Sequence, residues 1–548
     1  MSSDSYTHET SSASSQAPCE CNKLKPELLA TLDSTILQQG LPFFRGIEKE
    51  GLRADSQYVI AQSDHPAQLG HPLTHPSITT DYSEALIELI TPVTKTREEL
   101  LDSLKEIHQQ VAANLENETL WPGSMPCRLD GELSIRIAEY GDSNIGKLKH
   151  VYRQGLGVRY GRIMQSIAGL HFNFSVSDSF WQKLQNLEQH KNNGNQALSL
   201  QDFKSQQYFA LIRNFRRYSW LLMYLFGASP CLDKSFIAGK AHSLDAFDDQ
   251  GSYYKPYATS LRMGDLGYHN NAQASLNICF NSLKNFTTTL NEAIRTPYPA
   301  YEAIGLQKDG EYLQINSNIL QIENEYYSAI RPKRTTEAAE TPRHALNQRG
   351  VEYIEVRCLD LNPFLALGVS AQQIDFLDTF LSYCLLSDSP LISDEDCKRL
   401  DANFEKVVNN GREPGLQLIS ACGEISLSEW AGQLLNEMSK VAEILDQAAE
   451  DGRYVKALNE QRSKVLHPEL CPSAQILAIM REESLSWIDF AGELSNKHKF
   501  SLLNDFPDKT EVLTALAKSA AQSFQDESAI KASDKVSFDE FLKQYQFN

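Results

Sequence analysis

The 548-residue sequence contains no apolar run that approaches the roughly 18 consecutive residues of a membrane-spanning helix. We therefore expect no membrane partner. The first residues also lack the basic start and apolar core of a secretory signal. Residues 1–22 are instead rich in serine and predict a disordered tail.

Basic residues are scarce relative to acidic ones. The chain has 51 lysines and arginines against 71 aspartates and glutamates, which gives a net charge of −20. We therefore expect no nucleic-acid partner, because such proteins carry a broad basic surface. A polyphosphate ligand would need locally placed cations and metal ions to bind against this overall field.

Several motifs of common protein classes are missing. The ten cysteines include no C-x-x-C pair, which favours reduced cytoplasmic thiols over a zinc ribbon or a thioredoxin-type site. The G-x-x-x-x-G-K-[ST], H-E-x-x-H and G-x-S-x-G motifs are also absent, which disfavours P-loop proteins, zinc proteases and serine hydrolases. The run GLGVRYG at 155–161 misses the G-x-G-x-x-G spacing by one residue, so it is weak evidence for a Rossmann fold.

The pattern of apolar residues predicts a mixed architecture. Helical spacing is found at 24–39, 98–115 and 208–226, and an Asn/Gly-rich surface loop is expected at 192–195. Strand-like runs are centred on Glu48 and occur at 85–91, 169–176, 315–324 and 351–359. Beyond residue 362 the pattern is mainly helical, including a packed helix after Ser426 with Glu429 completing a capping box.

These elements predict an α+β fold with an antiparallel sheet and a helical layer. We expect three parts: the tail at 1–22, a catalytic α+β domain at 23–361, and a mainly helical region at 362–548 that packs on it. No repeat of 20–50 residues is present, which disfavours a solenoid.

The run FRGIEKEGLR at 44–53 is the most informative stretch. In a strand, Glu48 and Glu50 point to the same side about 7 Å apart. Two carboxylates on one face repel each other, and a divalent cation such as Mg²⁺ or Mn²⁺ removes that repulsion. A solvated strand with both glutamates facing water is the alternative.

A second acidic run, DYSEALIELITP at 81–92, has two interpretations. As a strand it places Glu88 among apolar neighbours, whereas as a helix it aligns Asp81, Glu84 and Glu88 in an exposed stripe. The β-branched residues and the closing Thr91-Pro92 favour the strand.

Two later strands alternate in the same way. The run GLHFNFS at 169–175 places His171 on a polar face, and VEYIEVRC at 351–358 places Glu355 and Arg357 opposite an apolar face. Either polar face could be wet or salt-bridged instead of functional. If the sheet curves into a cleft, these strands gather acids and a histidine into a cradle for two or more Mg²⁺ ions during phosphoryl transfer.

A basic run, Arg331-Pro332-Lys333-Arg334, follows just after the run ENEYY at 323–327. Its three cations, Arg331, Lys333 and Arg334, could hold phosphate oxygens of ATP, or they could be a surface patch.

Nine short runs together resemble the glutamate–cysteine ligase family in its proteobacterial type. The resemblance is close from about residue 41 to 369 and looser to the C-terminus. The runs are RGIEKE (45–50), ITTDYSEALIE (78–88), WPGSMPC (121–127), LFGASP (225–230), PYATSLR (256–262), DLGY (265–268), LQINSN (313–318), IRPKR (330–334) and EYIEVR (352–357).

The resemblance implies a curved sheet funnel like the catalytic fold of glutamine synthetase. It implies ATP-dependent joining of L-glutamate to L-cysteine, with magnesium on Glu48, Glu50, Asp81, Glu88, His171 and Glu355. It further implies a cysteine site formed by Tyr152, Arg153, Gln165, Tyr268 and Tyr327. Arg262 and Arg357 are implied to face a substrate carboxylate or the transferring phosphoryl group.

The expected partners are thus small molecules only, and we expect a monomer in the cytoplasm. Three alternatives remain open at this point. They are a ligase that joins glutamate to another amine, a nonenzymatic sensor of glutamate or nucleotide, and a metal-dependent hydrolase that works without ATP.

Overall fold

A computed structural model describes residues 23–191, 198–266, 276, 278–337, 340–504 and 509–547. The predicted tail at 1–22 and the predicted loop at 192–195 lie outside these residues. None of the described helices combines the length and apolar character needed to cross a membrane.

The centre of the described fold is an antiparallel sheet of seven strands in the order β11-β12-β5-β1-β3-β2, with β4 paired to the end of β1. Its strands are β1 (Phe43–Ala54), β2 (Ile78–Thr80), β3 (Leu86–Ile90), β4 (Thr119–Leu120), β5 (Leu170–Val176), β11 (Ile330–Lys333) and β12 (Tyr353–Leu359). The smaller sheets contain β6 (Cys231–Asp233), β7 (Asp245–Ala246), β8 (Ser252–Tyr254), β9 (Gln307–Lys308), β10 (Glu311–Tyr312), β13 (Gln417–Ser420) and β14 (Gly423–Ser426).

Helices surround this sheet. They are α1 (Pro26–Gln39), α2 (Arg97–Asn114), α3 (Asn144–Tyr160), α4 (Asp178–Lys191), α5 (Leu200–Phe226), α6 (Leu283–Ala293), α7 (Pro299–Ile304), α8 (Pro342–Arg349), α9 (Ala371–Leu386), α10 (Asp394–Asn410), α11 (Leu427–Ala449), α12 (Arg453–Leu466), α13 (Pro472–Glu482), α14 (Trp487–Asn504), α15 (Lys509–Ser533) and α16 (Phe538–Phe547). The predicted α+β class is confirmed.

Strand alternation gives the central sheet one apolar face. Ile47 of β1, Phe172 of β5 and Val356 of β12 lie in register and are fully buried beneath helices α2 and α5. Burial of each such side chain contributes about 1.5–3 kcal/mol to folding. The opposite face is therefore left to the intervening polar residues of the same strands.

A buried ion pair ties strand β1 to the helices beyond residue 362. Arg45 donates to Asp378 of α9 at 2.5 Å, and both side chains are inaccessible to water. Tyr454 of α12 donates to the same carboxylate at 3.4 Å. The helices thus pack directly on the sheet, while the exact domain boundary at 361/362 remains a prediction.

The C-terminal helix forms a separate small core with α3. Leu542 of α16 packs with Leu148 and Val151 of α3 and with Ile315. The backbone N–H of Asn144, at the start of α3, donates to Asp534 at 2.8 Å. The chain end therefore supports the helix that carries Tyr152.

The structure tests three local predictions, which concern the stretch 315–324, the cap of α11 and the cysteines. The predicted strand at 315–324 is wrong: this stretch is irregular and ends in a short 3-10 helix, Glu323–Glu325, because side-chain amides such as Gln321 take its backbone hydrogen bonds. The predicted capping box of α11 is present in part: Ser426 accepts from the N–H of Glu429, without the return bond from the Glu429 side chain. Seven described cysteines are free thiols as expected, but Cys422 departs from the prediction because it forms a disulfide.

Candidate active site

Three neighbouring strands bring Glu48, His171 and Glu355 together on the polar face of the sheet. Glu48 lies directly opposite His171 in the register of β1 and β5, and Glu355 lies opposite Asn173 in that of β12 and β5. His171 Nδ1 is 3.4 Å from Glu48 Oε2 and 3.5 Å from Glu355 Oε1. One ligand atom from each of these three residues lies within 4.8 Å of the others.

Glu50, Asp81 and Glu88 extend this acidic group. Glu50 lies opposite Glu88 across β1 and β3, and Glu50 Oε1 is 3.6 Å from His171 Nε2. Burial raises the pKa of Glu88 well above its usual range, and repulsion from Glu48, Asp81 and Glu50 adds to this effect. Strand β3 is therefore formed as predicted, and the exposed helical stripe is excluded.

The same group fits divalent metal ions on chemical grounds. Carboxylate oxygens and one imidazole are suitable ligands for hard or borderline cations. The raised pKa of Glu88 shows that a bound positive charge would relieve repulsion there. Glu50 is also buried, which raises its pKa, while its Oε2 accepts from the N–H of Gly169 at 2.6 Å.

Cations border the acids on the β11–β12 side. Arg357 donates to Glu355 Oε1 at 2.9 Å, and Lys333 Nζ is 3.5 Å from Glu355 Oε2. Burial alone would raise the pKa of Glu355, but these two cations outweigh it and hold the pKa well below its usual range. Glu355 is thus ionised and fixed in place.

A cleft with a cavity volume of about 130 Å³ opens beside Glu50 and Asp81. Four predicted substrate residues line it, Tyr152, Arg153, Gln165 and Tyr327, together with the predicted groups Arg331 and Arg357. Tyr268 lies outside the described residues.

The cleft also contains residues that sequence reasoning missed, namely Tyr82, Leu156, Tyr160, Met164, Asn324 and Glu325. Tyr82 lay within the quoted acidic run, but its aromatic side chain gave no signal of its own. Glu325 binds Arg159 at 2.9 Å with both side chains fully buried, which fixes the cleft wall to α3.

The glycines of GLGVRYG have a packing role in α3. A Cβ on Gly155 would lie 2.0 Å from Gln321 Oε1, and one on Gly157 would lie 2.5 Å from the Tyr82 hydroxyl. Both positions therefore need glycine so that Gln321 and the cleft residue Tyr82 can approach the helix. This explains the motif without a Rossmann nucleotide loop.

Arg262 is placed differently from the other predicted residues. Its guanidinium donates to the backbone carbonyls of Arg357 and Cys358 at 3.1 and 3.2 Å and lies 3.6 Å from Asp360. It is fully buried and is not among the described residues that line the cleft. Its position indicates support of strand β12 more directly than contact with a substrate.

A second cleft lies on the far side of Arg331. Arg331, Lys333 and Arg334 all line it, with Tyr353 and the apolar Leu290. Asn324 and Arg331 line both clefts, so the two are adjacent. The predicted phosphate-binding cations thus stand between a mixed apolar cavity and the acidic group.

The chain is similar to known proteins along most of its length. Residues 29–407 match the family model described as glutamate-cysteine ligase. The glutamate–cysteine ligase of Hahella chejuensis is 55% identical over 507 residues, covering 92% of this chain and 95% of that protein. That of Azotobacter vinelandii is 50% identical over 501 residues, covering 91% of this chain and 94% of that protein.

Solved structures agree with these matches. The crystal structure of a Francisella tularensis glutamate–cysteine ligase in complex with AMP superimposes with a TM-score of 0.86 at 36% identity, covering 92% of this chain and 98% of that one. A bifunctional glutathione synthetase from Pasteurella multocida shares the fold, with a TM-score of 0.67 at 24% identity over 92% of this chain and 57% of that one.

The fold and these similarities define the class of the protein, a ligase built on an antiparallel sheet. Because the family model covers well over half of the chain and relatives reach 55% identity along most of its length, the family is also defined. The chain belongs to the glutamate–cysteine ligase family.

Proposed function

We propose that the chain joins the γ-carboxylate of L-glutamate to the α-amine of L-cysteine at the expense of ATP. The products are γ-glutamylcysteine, ADP and phosphate, and the reaction is the first step of glutathione synthesis. The observation that carries this proposal is the cluster of Glu48, His171 and Glu355, with Glu50 beside it, next to a cleft lined by Tyr152, Arg153, Gln165 and Tyr327. Family membership supports the same reaction.

Two or more Mg²⁺ ions would be held by Glu48, Glu50, Asp81, Glu88, His171 and Glu355, and Mn²⁺ suits the same ligands. Bound there, the metal ions would neutralise charge on the nucleotide phosphates and on the glutamate carboxylate. Among the protein groups, His171 stands between three carboxylates and would act as a neutral ligand. Asn173 donates to Glu48 Oε1 at 2.9 Å, which orients that carboxylate.

ATP would occupy the second cleft, with its phosphates directed along Arg331, Lys333 and Arg334 towards the acids. The AMP complex of the Francisella relative supports a nucleotide co-substrate. Arg357 and Arg331 line the other cleft as well, so they are placed to stabilise charge that develops on the transferred phosphoryl group.

The reaction proceeds in two displacements. The γ-carboxylate oxygen of glutamate attacks the γ-phosphorus of ATP, which releases ADP and gives γ-glutamyl phosphate. The α-amine of cysteine then attacks the acyl carbon, the C–O bond to phosphate breaks, and the amine loses a proton. The residues position the reactants and stabilise charge, and no covalent enzyme intermediate is needed.

Leu156 and Met164 give the cysteine cleft an apolar wall beside the polar Gln165 and Tyr327. A wall of this kind suits the small thiol side chain. A monomeric protein in the cytoplasm, with small molecules as its only partners, belongs to the same proposal.

One assay tests the reaction against its rivals. Phosphate release from ATP and Mg²⁺ is measured with glutamate alone, with cysteine alone and with both. The proposal expects sustained release only with both, together with γ-glutamylcysteine detected by mass spectrometry. A sensor releases none, a hydrolase acts without ATP, and a ligase for another amine responds to that amine instead of cysteine.

A further inference from the structure

Asp81 lies in a tight turn that is hydrogen-bonded to a separate segment of the chain, residues 136–140. The turn connects β2 to β3, and its carbonyl at Tyr82 accepts from the N–H of Ala138 at 3.1 Å. The N–H of Glu84 donates to the carbonyl of Arg136 at 2.9 Å. The segment 136–140 therefore runs along the turn and restrains its backbone.

Tyr140 ends this segment and reaches the acidic group through its hydroxyl. The hydroxyl donates to the carbonyl of Thr80 at 2.7 Å and lies 3.0 Å from that of Asp81. Tyr140 is only 1% exposed, so no water competes for these bonds. The buried phenol of Tyr140 thus helps to fix the backbone that carries the Asp81 side chain.

Two cations of α3 stack on the ring of Tyr140. The Arg153 guanidinium lies 4.6 Å from the ring centroid and Lys149 Nζ lies 5.1 Å from it. Arg153 Nε also donates to the carbonyl of Asp81, and Arg153 Nη1 donates to the carbonyl of Lys149 at 3.0 Å. Cation–π contacts of this kind strengthen where water is excluded.

The stack therefore links the substrate helix to the metal cradle. Asp81 lines the same cleft as Glu50, which is 3.6 Å from His171. A shift of the turn would move the Asp81 carboxylate relative to those of Glu50 and Glu88.

We propose that Tyr140 is a positioning residue for the metal cradle, which it serves by fixing the Thr80–Asp81 backbone beneath Arg153 and Lys149. This inference rests on the proposed function only in assigning the cradle to divalent cations. It adds a residue outside the two clefts, since Tyr140 is not among the described residues that line either of them.

The test compares Tyr140→Phe with a matched control, Tyr224→Phe, in the full-length chain. Tyr224 is 2% exposed and its hydroxyl also donates to a backbone carbonyl, that of Lys464, at 3.1 Å. Binding of Mn²⁺ to the nucleotide-free protein is followed by its electron paramagnetic resonance signal. We expect the dissociation constant to rise about three- to tenfold in Tyr140→Phe, the effect of one lost buried hydrogen bond, and to stay within twofold of wild type in Tyr224→Phe.

A dissociation constant for Mn²⁺ that is equal in Tyr140→Phe and wild type would overturn the inference. So would an equal rise in both variants, since that would indicate general loosening of the fold. If Tyr140→Phe does not fold, Arg153→Lys removes the Nε donor to Asp81 and is expected to weaken Mn²⁺ binding in the same direction.

The outcome separates this inference from the proposed function. Weakened Mn²⁺ binding in Tyr140→Phe upholds the positioning role even if wild type fails to ligate glutamate and cysteine. Normal ligation by wild type with unchanged Mn²⁺ binding in the variant overturns the positioning role alone.

Discussion

Replacement of Glu355 by glutamine tests the electrostatic design of the site most directly. The carboxylate is fully buried and lies 2.9 Å from Arg357, 3.5 Å from Lys333 and 3.5 Å from His171. Glutamine keeps the volume but removes the negative charge that lies next to both cations. Loss of one partner of a buried ion pair costs about 3–5 kcal/mol. We expect the lower end, about 3 kcal/mol, because the Lys333 and Arg357 side chains remain 28% and 17% exposed.

Turnover should fall further than stability alone explains. Removal of one preorganised charge or donor at a developing charge lowers turnover on the order of 10²–10³-fold. Steady-state phosphate release with both substrates measures this effect, and urea unfolding without metal measures stability. Glu352→Gln is the control, because that carboxylate is 45% exposed and pairs with Arg334 at 3.6 Å. Turnover of Glu355→Gln within threefold of wild type would refute the assignment of Glu355 to the metal cradle.

Four further predictions follow from individual contacts. Glu48→Ala should cut turnover on the order of 10²-fold or more, and near-normal ligation in the same assay would remove Glu48 from the metal site. A kinetic comparison should show some use of 2-aminobutyrate in place of cysteine, since one atom's difference in a small pocket gives about 1–3 kcal/mol of discrimination; complete rejection would contradict a steric pocket. Gly155→Ala should lower the free energy of unfolding by about 1–3 kcal/mol, because the added Cβ would lie 2.0 Å from the hydrogen-bonded amide of Gln321. In the control Gly432→Ala, the added Cβ has no neighbour within 4 Å in the described part of the chain. This control should raise the free energy of unfolding by about 0.5–1 kcal/mol. Burial raises the pKa of Asp375 to about 6 although Arg97 pairs with it, so its ionisation disfavours the fold fully above that pH and not at all below about pH 4. In urea unfolding, the stability of Asp375→Asn relative to wild type should therefore rise by about 1–3 kcal/mol between pH 4 and pH 7.5, and a pH-independent difference would contradict the raised pKa.

Strand alternation is the part of the site that the sequence predicts best. The predicted faces at Glu48, His171 and Glu355 follow from a period of two residues, which any strand imposes locally. The same rule could not choose between a wet face and a buried one. That choice depended on which strands become neighbours, and the register of Glu48 opposite His171 is a contact between residues 123 positions apart.

Residues outside strands were harder to predict. The stretch 315–324 contains apolar residues at strand-like spacing, yet Gln321 bonds the N–H of Ile315 at 3.0 Å and prevents a ladder. Tyr82 and Tyr140 carry no motif that distinguishes them from core tyrosines. Only the packing of α3 against the Asp81 turn reveals what their hydroxyls contact.

The amino-acid sequence alone determined the class of fold, the family and the side of each strand on which the acids stand, because these depend on local periodicity and on short matched runs. The tertiary structure decided which acids share a cavity, that Arg331 borders both clefts, and that Arg262 is buried against the backbone of β12. Those features depend on strand order and helix packing across hundreds of residues, and nothing in the local pattern of side chains encodes them.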